Sequence, residues 1–263
     1  MTGPAVTGER TATANPALFV DQVSWHVGAV PIIDDVTLEV RPGEFVALIG
    51  PNGAGKTSLF NVVSGLRRPS AGRVMLAGAD VTKAKPHQRA RRGLGRTFQT
   101  SAVFGSLTVL ENVELAVRAR KGGATRPWRR RRADRAVTGT AGQILAEVGL
   151  EPRASRPAGE LAHGEKRKLE IALVLAGSPR LLLLDEPMAG VSAEDVPALV
   201  EVVRQLTRES GRSVLMVEHH MDVVLELADR VAVLHHGALL ACGTPAEVMA
   251  DAVVQEAYLG EEL

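Results

Sequence analysis

The stretch EFVALIGPNGAGKTS, residues 44–58, decides how the rest of the chain is read. Glu44 to Ile49 is an apolar run of strand length that leads into glycine-rich sequence, the pattern of a strand buried on both faces. Gly50-Pro-Asn-Gly-Ala-Gly-Lys-Thr57 then fits G-x-x-x-x-G-K-[ST]. Leu59, Phe60 and Val63 follow at helical spacing, and Gly65 is placed to stop that helix. Glycines let consecutive backbone N–H groups turn toward one centre, and the helix N-terminus adds its positive end. Strand, loop and helix together therefore make a phosphate cradle. In this pattern Lys56 reaches the β and γ phosphates, and the Thr57 hydroxyl is a ligand for Mg²⁺. The candidate nucleotide-binding residues are Gly50, Pro51, Asn52, Gly53, Ala54, Gly55, Lys56, Thr57 and Ser58.

Working outward, strand and helix signals alternate, which predicts an α/β domain with a largely parallel sheet. Leu18–Val20 and Val36–Val40 read as short edge strands, and Arg73–Leu76 as another. Arg180–Leu184, Ser213–Val217 and Val231–Leu234 read as strands of the sheet. The middle of the chain reads as helical. Thr108 and Glu111 form a capping box ahead of the stripe Leu110, Val113 and Val117. Arg118 to Arg135 reads as a basic loop, broken by Gly and Pro. Helices are predicted over 141–148 and 165–176, and Thr244-Pro-Ala-Glu247 starts another.

A second candidate site lies far downstream of the loop. Leu181–Leu184 ends in Asp185-Glu186, which puts two carboxylates at the carboxyl end of a buried strand, where open α/β sheets bind ligands. Asp185 suits a water-mediated hold on Mg²⁺. Glu186 suits orienting or deprotonating an attacking water, since phosphoryl transfer asks the protein mainly for positioning and charge stabilisation. His219 follows a third apolar strand and is placed to touch the γ phosphate, whereas His220, His235 and His236 read as surface residues.

Composition sets the limits. Hydrophobic residues make up 45% and charged residues 23%, enough for a full core. Lys+Arg 31 against Asp+Glu 30 leaves net charge +1, and aromatics are 3%, so neither a basic field nor a stacking platform for nucleic acid is present. The basic run Arg126–Arg135 reads first as a solvated loop, with phospholipid headgroups, which Trp128 favours, as the alternative partner and nucleic acid as the least favoured. The single Cys242 excludes an intramolecular disulfide and a cysteine-based zinc site. No segment has the length of a membrane span or the core of a secretory signal. Residues 1–16 read as a flexible tail, residues 17–263 as one domain, and the protein as cytoplasmic.

The order of these motifs resembles the ATP-binding subunit of ABC transporters over nearly everything after residue 17. The resemblance implies a P-loop NTPase fold of the ABC type. Such a fold has a mostly parallel core sheet, an antiparallel edge subdomain, and a helical lobe inserted over about residues 100–175. It implies ATP and Mg²⁺ as cofactors. RTFQ at 96–99 looks like the Q-loop, which makes Gln99 a Mg²⁺ contact and part of the catalytic set with Glu186 and His219. Leu161, Ala162, His163, Gly164 and Glu165 sit where the LSGGQ signature belongs, and 189–192 occupies the D-loop.

GRTFQ, LTVLENV, KRKLEIA, VEHHMDVV, GTPAEV and EAYLGEEL are similar to the branched-chain amino acid importers in particular. The lipopolysaccharide-export ATPase is a near relative, and a soluble mechanical ATPase of the superfamily is the competing class. Transmembrane permease subunits are the implied partners, with a second ATPase subunit (a heterodimer rather than a homodimer) and, indirectly, an extracytoplasmic solute-binding protein. The implied location is the inner face of the cell membrane.

Four positions depart from the family pattern. Val27 falls where an aromatic side chain stacks on adenine, and Trp25, two residues away on the same strand face, is the candidate substitute. Ala162 replaces the signature serine and Glu165 its glutamine. Ser192 replaces the D-loop aspartate, and Ser192-Ala-Glu-Asp195 reads as a capping box that starts a helix.

Overall fold

The computed structural model describes residues 15–97, 103–121, 130–208 and 210–259. The Q-loop residue Gln99, most of the proposed tail and residues 126–129 of the basic run lie outside the described residues.

The core sheet has six strands. β3 (Phe45–Ile49), β6 (Leu94–Arg96), β7 (Leu181–Asp185), β8 (Ser213–Val217), β9 (Arg230–His235) and β10 (Ala238–Gly243) lie in the order β10-β9-β3-β8-β7-β6. All neighbours pair in parallel except β9 and β10. A second, antiparallel sheet has the order β2-β1-β4-β5, from β1 (Leu18–Val27), β2 (Val30–Val40), β4 (Ala71–Leu76) and β5 (Ala79–Asp80). The two expected short edge strands are thus a long hairpin that turns at Gly28, whose φ is +60. The stretch between the two runs is largely exposed and breaks register around Trp25, so its apolar residues do not alternate cleanly, which hid its full length.

The strands β3, β7 and β8 are wholly buried, as their unbroken apolar runs require. Side chains alternate between faces. Val46, Leu48, Leu183 and Val217 pack toward the antiparallel sheet and α1 (Lys56–Ser64). Phe45, Leu182, Leu184, Val214 and Met216 face the helical side. There the same apolar cluster runs on through α3 (Val109–Lys121), α4 (Arg130–Glu147), α5 (His163–Leu175) and α6 (Val196–Arg208). The segment expected as a loop over 118–135 is therefore helical at both ends. Val117 and Val137 are buried and anchor it, and Arg118, Arg120 and Arg135 are exposed.

Both capping boxes form. The Glu111 carboxylate accepts from the Thr108 N–H at 2.8 Å, and Glu247 does the same for Thr244 at 2.8 Å. The Ser192 box is only partly as expected. Its hydroxyl donates to Asp195 Oδ2 at 2.9 Å, but the helix begins later, at Val196. Ser192–Asp195 is a turn that leads into the helix, and the Val196 N–H donates to the Ser192 carbonyl at 3.2 Å.

Register places the site. Leu48 of β3 pairs with Val217 of β8, and Val217 pairs with Asp185 of β7. The phosphate loop, Glu186 and His219 therefore leave three adjacent strands within a residue or two of one another, at the carboxyl edge of the sheet.

Candidate functional site

The loop after β3 holds its shape through glycines at positive φ. Gly50 has φ +150 and Gly55 +102. A Cβ at Gly50 would lie 2.1 Å from the Leu234 carbonyl oxygen, and one at Gly55 would lie 2.7 Å from that of Ile32. No other residue fits either place. Lys56 is buried, and its ammonium donates to the carbonyls of Gly50 at 2.5 Å and Pro51 at 2.8 Å. The charge is thereby held inside the loop. Burial pushes the Lys56 pKa down, and the Glu186 carboxylate opposes that shift. Asn52, Gly53 and Thr57 stay exposed on the rim, with the Thr57 side chain open to a ligand.

Asp185 lies at the end of β7 with only 1% of its surface exposed. Its Oδ2 accepts from Arg96 at 3.0 Å, and its backbone N–H donates to the Thr97 hydroxyl at 3.1 Å. Arg96 also donates to Asn61 Oδ1 and Ser64 Oγ, both at 2.8 Å, which ties β6 and the last turns of α1 to the acid. Burial pushes the Asp185 pKa up, against the pull of Arg96. Its Oδ1 is buried and has no hydrogen-bond partner. An orphaned carboxylate oxygen is costly unless something binds it, and a cation with its hydration water does so. No group of three or more His, Cys, Asp or Glu side chains among the described residues could hold a metal ion. One carboxylate with a nearby hydroxyl, completed by substrate oxygens and water, is the donor set that Mg²⁺ accepts.

Glu186 follows at φ +47, an uncommon backbone state for a residue with a Cβ. Its N–H donates to the Val217 carbonyl at 2.9 Å, which carries the strand pairing one residue further. Its Oε1 lies 3.2 Å from His219 Nε2. The two side chains, 29% and 41% exposed, thus meet at the surface of the site. The sequence proposed each for a separate role, and the structure brings them into contact.

Three participants went unrecognised in the sequence. Arg96 was read only as part of RTFQ. Arg167 donates to the Glu186 carbonyl at 3.2 Å from α5. Glu218 is buried beside His219. A charged residue at the end of an apolar strand was the available signal for Glu218, whereas Arg96 ends the short strand Leu94-Gly95-Arg96, which carries no such run. His220, read as a surface residue, keeps an exposed ring, but Nδ1 lies 2.9 Å from Glu218 Oε2.

The signature segment is built differently. Leu161 and Gly164 are buried, while Ala162 and His163 are exposed at the start of α5. A Cβ on Gly164 would lie 2.9 Å from that of Asp195. Glu165 accepts from Arg153 at 2.6 Å and from the Ala162 N–H at 3.1 Å. The Arg153 bond is the main reason its pKa falls below the usual carboxylate value. Ala162 has no side-chain donor.

Trp25 packs partly buried on the core of the antiparallel sheet, and the Arg67 guanidinium lies 5.8 Å from its ring centroid. Val27 is 55% exposed. Register breaks lie on both sides of Trp25, so simple alternation does not place the two side chains together.

A family profile described as ABC transporter matches residues 33–189. The chain is 36% identical over 253 residues to the high-affinity branched-chain amino acid transport ATP-binding protein BraF of Pseudomonas aeruginosa, covering 94% of this chain and 99% of that protein. The chain belongs to the ABC transporter ATP-binding family. Such proteins bind nucleotide and hydrolyse ATP to power transport. A profile described as branched-chain amino acid ATP-binding cassette transporter matches residues 238–263, which sets the chain within that subgroup. LivG of Escherichia coli K12, also a branched-chain amino acid transport protein, is again 36% identical, over the same shares. The lipopolysaccharide export protein LptB of Haemophilus influenzae is 36% identical over 231 residues, 88% of this chain and 92% of that one. Among solved structures, a nucleotide-free ATP-binding cassette from an ABC transporter superposes with TM-score 0.80 at 30% identity, covering 94% of this chain and all of that one. The ADP conformation of such a cassette gives 0.81 at 30%, over 94% and 99%.

Proposed function

We propose that this chain is the ATP-hydrolysing subunit of an importer for branched-chain amino acids or related small polar solutes. The observation that carries the chemistry is the Glu186–His219 contact beside the orphaned Asp185 oxygen and the phosphate loop. Loop N–H groups and Lys56 bind the triphosphate. Glu186 orients the attacking water and takes up its proton, and His219 holds Glu186 in place and contacts the γ phosphate. When bound, Mg²⁺ supplies charge neutralisation at the phosphate oxygens, held by Thr57 and, through water, by Asp185, with Gln99 as a further ligand. Trp25 and the exposed Val27 edge are the candidates for the adenine contact.

Transport needs partners. No helix among the described residues is long and apolar enough to cross a membrane, so permease subunits supply the path. Phe104 is 55% exposed, and Asn112 holds its backbone on both sides, accepting from its N–H at 2.9 Å and donating to its carbonyl at 3.0 Å. An apolar ring presented on a fixed loop supports docking of a permease segment. Leu161–Glu165 completes the nucleotide site of a second ATPase subunit, and a heterodimer is favoured. The work is done at the inner face of the membrane, with an extracytoplasmic binding protein acting through the permease.

Co-purification with branched-chain amino acid permease subunits, followed by ATP-dependent uptake of labelled leucine into vesicles, tests this reading. Uptake is expected. Recovery with a lipid-export membrane pair and no uptake would replace import with export.

A further inference from the structure

We propose that Glu218 is a positioning residue for hydrolysis, holding His219 against Glu186 by tying the two backbone segments that carry them. The inference rests on the reading of Glu186 and His219 as the catalytic pair.

Glu218 follows β8 with 2% of its surface exposed. One carboxylate oxygen accepts from the Met188 N–H at 2.9 Å. The other accepts from the N–H groups of His219 at 2.7 Å and His220 at 3.2 Å, and lies 2.9 Å from His220 Nδ1. Met188 belongs to the turn that Glu186 opens, where the Ala189 N–H donates to the Glu186 carbonyl at 3.1 Å. One buried carboxylate thus bridges the turn after Glu186 and the turn of His219.

Burial and full engagement of both oxygens exclude Glu218 as a base for water. They suit it to fixing geometry, because charge-assisted bonds to backbone N–H groups are short and strong. The pair it serves needs that help. Glu186 and His219 have partly exposed side chains on two different turns, and Glu186 sits at φ +47. A small misplacement of a catalytic group costs far more in rate than in binding.

The test uses the full chain assembled with its permease. In Glu218→Gln the amide nitrogen faces an N–H donor on one side and the bridge opens. Turnover is expected to fall at least about tenfold, with KM for ATP and the affinity for a fluorescent ATP analogue within roughly twofold of wild type. Glu218→Asp keeps the charge but is one methylene too short to span both turns. It is expected to show the same split, and it carries the test if the Gln variant does not fold. In a His219→Ala background, Glu218→Gln is expected to cost less than about twofold more, because its action runs through His219. Unchanged turnover, loss of turnover and binding in step, or additive losses in the double variant would overturn the proposal. Glu186→Gln and His219→Ala alone run alongside. Normal turnover in those overturns the catalytic pair and this inference together, whereas slow turnover there with normal turnover in the Glu218 variants overturns this inference only.

Discussion

At the carboxyl edge of the sheet, nearly every candidate side chain meets a partner from its own chain. Lys56 closes on the phosphate loop, Asp185 on Arg96, and Glu186 on His219. At the start of α5, Ala162 and His163 face solvent, Leu161 is buried, and Glu165 pairs with the partly exposed Arg153 of the same chain. The first region is organised for chemistry by a single chain. The second presents Ala162 and His163 to solvent, the surface that the proposed pairing uses. Preorganised dipoles and charges do most of the work in phosphoryl transfer, so in the function we propose the strand-end region carries the rate and the α5 region meets the partner.

The comparison breaks first at Glu186. Glu186→Gln keeps the shape and removes the water-orienting carboxylate, so turnover should fall ~10²–10⁴-fold while ATP binding persists. A phosphate-release assay on the purified complex, with filter binding of ATP, checks both halves. The expected companion is accumulation of a closed, ATP-bound dimer. Near-normal turnover would remove the strand-end region from the chemistry.

Arg96→Met sharpens the claim that this region is held by internal pairing. The Arg96 and Asp185 side chains are 8% and 1% exposed, and removing one partner of a buried pair costs about 3–5 kcal/mol. The sign of the pH effect follows from Asp185. Burial raises its folded-state pKa above the unfolded one, so its destabilising effect is absent at low pH and grows as pH rises through that window. Without Arg96 the folded pKa rises further. Urea unfolding at about pH 4 and about pH 7 should therefore show the variant's deficit widening toward neutral pH.

Much of this was legible in the sequence, for physical reasons that differ by element. β3, β7 and β8 are continuous apolar runs, and the phosphate loop carries glycines at positions where a Cβ would strike Leu234 or Ile32. The capping boxes at Thr108 and Thr244 are local chemistry and formed as read. The hairpin β1–β2 was underread because its distal half is largely exposed and irregular in register. The ends of α3 and α4 were underread because a basic composition broken by Gly and Pro looks like a loop. The Glu186–His219 contact and the Glu218 bridge join residues about thirty positions apart, so only strand register, Asp185 against Val217, reveals them.

The claim that the two regions divide between chemistry and partner is tested most directly by Ala162→Ser in the assembled transporter, with occupancy and turnover resolved at each nucleotide site. Ala162 cannot give the γ phosphate the hydroxyl bond that a serine would. A hydrogen bond to a charged group is worth ~1.5–3 kcal/mol, roughly tenfold or more in rate. The account predicts a gain of that order, confined to the site whose phosphate loop belongs to the partner subunit. A gain at this chain's own loop, an equal gain at both sites, or none at either would contradict it.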